Sequence, residues 1–169
     1  NEVAWVAVLG HLYSPNKERG IYKTTDGGKT WKQTLFVDDN TGAVDMDINP
    51  SNPNEVYAAM WYRVRRAWKF EESGKSSGIY KSNDGGETWS ILNYTVPFLT
   101  DADGFPIITN GAENYQVAAY ENHVYVLFGM INSDLVLIHS DDYGADGSWE
   151  SMPIIDFPFD NYTGTVQTD

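Results

Sequence analysis

The chain has 169 residues, no cysteine, and a net charge of −13 from 24 acidic and 11 basic side chains. So acidic a chain lacks the cationic footprint that nucleic acid demands. Without thiols it can form neither a disulfide framework nor a thiolate metal site, and no apolar run is long enough to cross a bilayer as a helix. The charge is uneven: residues 1–89 hold twelve acids and all eleven bases, whereas residues 90–169 hold twelve acids and no Lys or Arg. That asymmetry reads either as the solubility of an extracellular protein or as a sector that binds cations or repels anions.

In chain order, the apolar runs are short, rich in β-branched and aromatic residues, and bounded by turn residues, which predicts strands. The first three are expected at 2–9, 20–25 and 30–36. A run of period two, Ala43-Val44-Asp45-Met46-Asp47-Ile48, predicts a half-buried strand over 42–48, and the cluster from Asn49 to Asn54 is a turn. Strands are then expected at 55–61, 78–83 and 88–93, and, after a long connection, at 114–120, 123–129, 134–139 and 148–154.

These strands repeat. Thr24-Thr25-Asp26-Gly27-Gly28-Lys29-Thr30-Trp31 returns 58 residues later as Ser82-Asn83-Asp84-Gly85-Gly86-Glu87-Thr88-Trp89. A degenerate third copy, with two inserted residues, supplies Ser140, Asp142, Gly144, Ser148 and Trp149. We call each copy a box. A fixed period of this size signals stacked supersecondary units. The chemistry fits a tight hairpin: the Asp accepts backbone N–H groups a few residues on, the glycines supply positive φ, and the Trp opens the next strand and is expected to be buried. The flanks repeat as well. The segment from Asn1 to Val8 aligns with that from Asn54 to Trp61, and Arg19-Gly20-Ile21-Tyr22-Lys23 aligns with Ser77-Gly78-Ile79-Tyr80-Lys81.

The motif Ser/Thr-x-Asp-x-Gly-x-Thr-Trp resembles the Asp-box, or bacterial neuraminidase repeat, of sialidases, some endoglucanases, sortilin-type receptors and a photosystem assembly factor. Residues 1–89 look most similar to sortilin-type repeats of large secreted bacterial proteins, while the second half keeps only the blade rhythm. The resemblance implies an all-β partial propeller of about three four-stranded antiparallel blades. In it Thr24, Asp26, Gly28, Thr30, Trp31 and their counterparts Ser82, Asp84, Gly86, Thr88, Trp89 act as structural staples, as do the third-box positions. One propeller segment is expected over 1–169, with an incomplete blade one at 1–36, blade two at 42–93, blade three at 114–154 and a tail at 155–169. Because propellers close with about four to eight blades, three would leave open edges. The remainder of a longer chain, or another chain, is expected to cover them.

In such a blade the loops opposite the boxes carry ligands. Four segments qualify. The loop from Gly10 to Arg19 contains His11 and Tyr13; His11 reads as an acid–base group or as an ordinary surface histidine. The segment Tyr62-Arg63-Val64-Arg65-Arg66-Ala67-Trp68-Lys69-Phe70 holds three of the four arginines, Arg63, Arg65 and Arg66, beside Trp68. Guanidinium forks bind carboxylate or phosphate and aromatic faces take sugars or cations, although inter-blade packing would explain the same loop. Asp101 and Asp103 before Gly104 could start a calcium loop but lack the later Glu at the standard spacing, and a plain turn also fits. The tail Asp156-Phe157-Pro158-Phe159-Asp160 reads as a connector.

No complete catalytic constellation is present. A sialidase clamp needs arginines from three blades, and here three sit on one loop. Paired carboxylates define glycoside hydrolysis, but the acids are too many to single out a pair. No nucleophile motif or zinc motif occurs. The sequence therefore predicts a binding or interaction scaffold for a glycan or protein partner, on the cell surface, secreted or periplasmic. A glycoside hydrolase fragment whose catalytic residues lie partly elsewhere, and a structural assembly factor, are the alternatives. The sequons at Asn93 and Asn161 add little.

Overall fold

The computed structural model describes residues 2–72, 74–92, 113–129 and 135–152. Thirteen strands make it an all-β protein with no helix among these residues. The first sheet, in order, is β1 (Ala4–Val8), β2 (Gly20–Thr24) and β3 (Lys32–Leu35). The second is β4 (Thr41–Ile48), β5 (Val56–Tyr62), β8 (Gly78–Ser82) and β9 (Ser90–Ile91). The third is β10 (Glu113–Tyr120), β11 (His123–Gly129), β12 (Leu135–Ser140) and β13 (Trp149–Met152). Every pairing is antiparallel between neighbours in the meander, which makes each sheet a propeller blade and the chain a partial β-propeller.

The sheets stack face to face, and the core lies between them. Ile21 and Leu35 of the first sheet meet Ala58 and Met60 of the second. Tyr57, Ala59 and Ile79, on the second sheet's other face, meet Val124, Val126, Phe128 and Ile138 of the third. Alternation along β5 serves two interfaces at once, so all of Val56–Trp61 is buried. Strand β4 lies against β10. Asp45 and Asp47 bridge them, their Oδ2 atoms accepting from Val117 N at 3.0 Å and Ala119 N at 2.7 Å. These two acids therefore satisfy backbone donors that a pair of unbonded strands would leave open.

The first two boxes are closed hydrogen-bond units. Thr24 Oγ1 accepts from Gly28 N at 3.0 Å and donates to Asp26 Oδ1 at 2.8 Å. Asp26 also accepts from the Thr30 amide at 2.9 Å and the Thr30 hydroxyl at 2.6 Å. Ser82, Asp84, Gly86 and Thr88 repeat the arrangement. In each, the Trp indole closes the turn on the glycine carbonyl three residues back, Trp31 on Gly28 and Trp89 on Gly86, both at 3.2 Å. Gly86 has φ of 83°, and a Cβ there would sit 2.6 Å from Trp5 Nε1, so both conformation and space call for glycine.

The third box departs from the expected staple. Ser140 Oγ accepts from Gly144 N at 2.9 Å, as its counterparts do. However, the two extra residues fold their own turn, with Ala145 N donating to Asp142 O at 2.8 Å and Ser148 N to Ala145 O at 3.2 Å. Ser148 Oγ then reaches Ser140 Oγ directly at 2.6 Å. The described hydrogen bonds leave the Asp142 carboxylate out, because the Ser148 hydroxyl it would have received donates to Ala145 O at 2.7 Å instead.

Two further expectations are corrected. Trp31 is 43 % exposed, whereas Trp149 is only 2 % exposed. Each box Trp packs on the sheet before its own: Trp89 Nε1 lies 3.4 Å from Thr34 Oγ1, and Trp149 and Leu92 both flank Gly144. No described sheet precedes the first. The ladders also place Ala4 opposite Thr24 and Val56 opposite Ser82. Ala4 is thus level with Val56, one residue away from the alignment that put Val3 there, because the box turn fixes where its partner strand begins.

Candidate functional site

The register puts the boxes at one end of each sheet and the β1–β2 and β5–β8 connections at the other. At that other end the segment from Tyr62 to Phe70 is not an open loop but a small hairpin, β6 (Val64–Arg66) and β7 (Lys69–Glu71). Arg65 pairs with Phe70 across the ladder, and its guanidinium lies 5.5 Å from the Phe70 ring and 5.9 Å from the Tyr13 ring. The hairpin and the 10–19 loop are thereby joined by one arginine between two aromatic faces.

Between them is a cleft of about 240 Å³ lined by Leu12, Tyr13, Asn40, Arg63, Arg65 and Arg66, with Arg19 at its floor. Arg19 is 1 % exposed. It donates to the carbonyls of Leu9 at 2.7 Å, His11 at 2.9 Å and Ser14 at 3.3 Å, so it shapes the loop that carries Tyr13. Burial lowers its pKa, the nearby Arg63 adds to that, and Asp38 opposes it. Arg63 lies over the Trp61 ring at 5.4 Å, and its pKa is lowered by burial and then by Arg65. Both remain cations, since a guanidinium does not lose its proton in proteins.

Acids act on this charge only at longer range among the described residues, Asp38 on Arg19 and Glu71 on Arg66. Among the described residues, every ion pair is made by Lys or His and none by Arg. Arg63 Nε is buried with no hydrogen-bond partner. Desolvated like charges without an anion cost stability, and such groups are where anionic ligands bind.

The structure brings together Tyr13, Arg63, Arg65 and Arg66. It does not bring in His11, whose ring pairs with Glu18 at 3.3 Å and Ser14 at 3.3 Å, though its carbonyl holds Arg19. Nor does it bring in Trp68, which stands at the hairpin tip 80 % exposed, off the cleft lining. Sequence reasoning passed over Arg19 and Asn40. The signal for Arg19 was its place before Gly20, where the second repeat has Ser77. Asp101 and Asp103 lie outside the described residues. Among those described, no cluster of His, Asp or Glu could hold a metal, and no helix could cross a membrane.

The geometry defines a partial propeller with a cationic, aromatic cleft at the end away from its boxes. No protein-family model matches the chain. It is similar to the photosystem II assembly lipoprotein Ycf48 of Synechococcus sp. (strain CC9902), with 29% identity over 167 residues covering 88% of this chain. The alignment takes in 48% of that protein, so the chain spans about half the length of the curated relative it matches. Among solved structures, YCF48 bound to D1 peptide aligns over 89% of this chain and 85% of its own, at 11% identity and a TM-score of 0.20. A score that low adds nothing to the fold already described.

Proposed function

We propose that the chain is a stretch of Asp-box propeller, of the sortilin-like kind, that acts as a binding scaffold. Its cleft takes a carboxylate-bearing segment of a protein partner. One observation carries this reading: Arg63, Arg65 and Arg66 converge beside Tyr13 with no carboxylate in ion-pair contact with them among the described residues. A flexible acidic segment would supply the missing anion, and Tyr13 would stack on its backbone or side chains. The relative is named as a photosystem II assembly lipoprotein. By that likeness the scaffold would serve assembly on the extracellular, cell-surface or periplasmic side of a membrane. A sialidase-type clamp has less support, since all four arginines gather at this one cleft.

The test is fluorescence anisotropy with a labelled peptide rich in Asp and Glu, beside a neutral peptide and a sialylated glycan. The native chain should bind the acidic peptide and neither of the others. Losing one charge-assisted hydrogen bond weakens binding by about ten- to a hundredfold, and the Arg65→Ala/Arg66→Ala double variant should lose at least that. Equal binding of acidic and neutral peptides, or preference for the glycan, would refute a carboxylate site.

A further inference from the structure

The two junctions between sheets follow one rule. The earlier sheet presents an aromatic residue, Trp5 of β1 or Tyr57 of β5, and a cation, Lys23 of β2 or Lys81 of β8. The later sheet presents the carbonyl of the fourth residue of its box; at the first junction the sixth residue, Glu87, adds a carboxylate, whereas at the second Lys81 pairs with Glu55 beside β5. At the first junction Trp5 Nε1 donates to Gly85 O at 3.1 Å, while Lys23 and Lys32 both hold Glu87 at 2.8 Å. At the second, Tyr57 OH and Lys81 Nζ donate to Tyr143 O at 3.2 and 2.8 Å. Gly85 and Tyr143 occupy the same box position, and both have positive φ.

The third sheet carries the presenting half of this junction. The ladders put Tyr125 level with Trp5 and Tyr57, and His139 level with Lys23 and Lys81. Tyr125 and His139 stack at 4.6 Å, and His139 Nε2 lies 3.0 Å from His123 Nδ1. Glu150, opposite His139, stands where the first sheet has Lys32 opposite Lys23. The first sheet carries the receiving half. Its box exposes Gly27, Gly28 and Lys29, whereas Gly85 and Gly86 are buried. Val6, level with the fully buried Ala58 and Val126, is 42 % exposed. Lys29 sits at the box position of Glu87 and makes no ion pair among the described residues.

The charges are therefore reversed but complementary: Lys32 faces Glu87 within the chain, and Glu150 would face a Lys29. We infer that the outer face of the third sheet docks the first box of a second copy, head to tail. Glu150 then pairs with Lys29 of that copy, Tyr125 or His139 donates to its Gly27 carbonyl, and its Trp31 and Val6 become covered. This interface continues the two already present in the chain and is independent of the cleft. Head-to-tail contacts form rings when their rotation closes.

Sedimentation equilibrium of the native chain and of two surface-charge variants tests this. The native chain should associate reversibly with concentration. Lys29→Glu and Glu150→Lys should each weaken association by roughly tenfold or more, because like charges then meet. Both residues are exposed, so circular dichroism should show each variant folded. Mixing the two variants restores opposite charges at both junctions and should restore association. A native chain that stays monomeric, or association that neither variant changes, or a mixture no more associated than its components, would each overturn the proposal.

Discussion

The two ends of these sheets use polar groups in opposite ways. At the box end, Asp26 and Asp84 each collect hydroxyl and amide donors within one turn, so their carboxylates are used up inside the box. At the cleft end, Arg63, Arg65 and Arg66 are gathered with no carboxylate in ion-pair contact among the described residues, and the buried Arg63 Nε has no hydrogen-bond partner there. The first arrangement spends its hydrogen bonds on fold and the second keeps them for a partner. A motif's repetition therefore locates the scaffold, while the unrepeated segment between repeats locates the site.

The comparison would break first on stability. Trp149→Ala, at the box end and fully packed, should cost about 3–5 kcal/mol in urea unfolding. Trp68→Ala, at the tip of the cleft hairpin, should stay within about 0.5 kcal/mol. Similar losses would mean that the hairpin is packed structure. Arg19→Ala sharpens the contrast from inside the cleft. It removes three bonds to loop carbonyls, so a loss of about 1.5–3 kcal/mol is expected, unlike the neighbouring Arg65 and Arg66.

A smaller effect separates the boxes themselves. Asp84→Asn should lower the melting temperature, because the carboxylate accepts the Ser82 and Thr88 hydroxyls and the Glu87 and Thr88 amides, and Asp142→Asn should leave it unchanged. Equal shifts would show that the third box works as the others do.

The smallest effect is in acid. The Thr30 hydroxyl, then the Thr30 amide and the Thr24 hydroxyl, hold Asp26 down to about 2, and the Thr88 and Ser82 donors hold Asp84 lower still. A depressed carboxylate stabilises the fold above its unfolded pKa of about 4, and that contribution is lost as pH falls toward the folded value. Stability should therefore decline between about pH 4 and pH 2. Thr30→Val removes the strongest donor, so more of its decline should come near pH 4 than in the native chain. An acid transition that Thr30→Val leaves in place would assign it to other carboxylates.

The fold was legible because strand, box and strand recur with one period, and each strand is bounded by its own turn residues. Burial of Trp31 was not legible, since it depends on the sheet before it rather than on its own box. Asp142 looked like Asp26 in sequence, yet two inserted residues redirected Ser148. At the site, the meeting of Tyr13 with Arg65 was readable from adjacent loops of one type. The β6–β7 hairpin was hidden because its charged strands show no apolar alternation, and Arg19 was overlooked because its one signal, standing where the second repeat has Ser77, does not by itself reveal burial.

The central claim, that the box end holds the fold while the cleft end holds the partner, is tested most directly by thermal melts with and without an acidic peptide. A ligand that binds only the folded state raises the melting temperature. The Arg65→Ala/Arg66→Ala variant should melt with the native chain in buffer, and only the native chain should gain from the peptide. A variant that melts well below the native chain, yet still gains from the peptide, would place those arginines in the fold and the partner elsewhere.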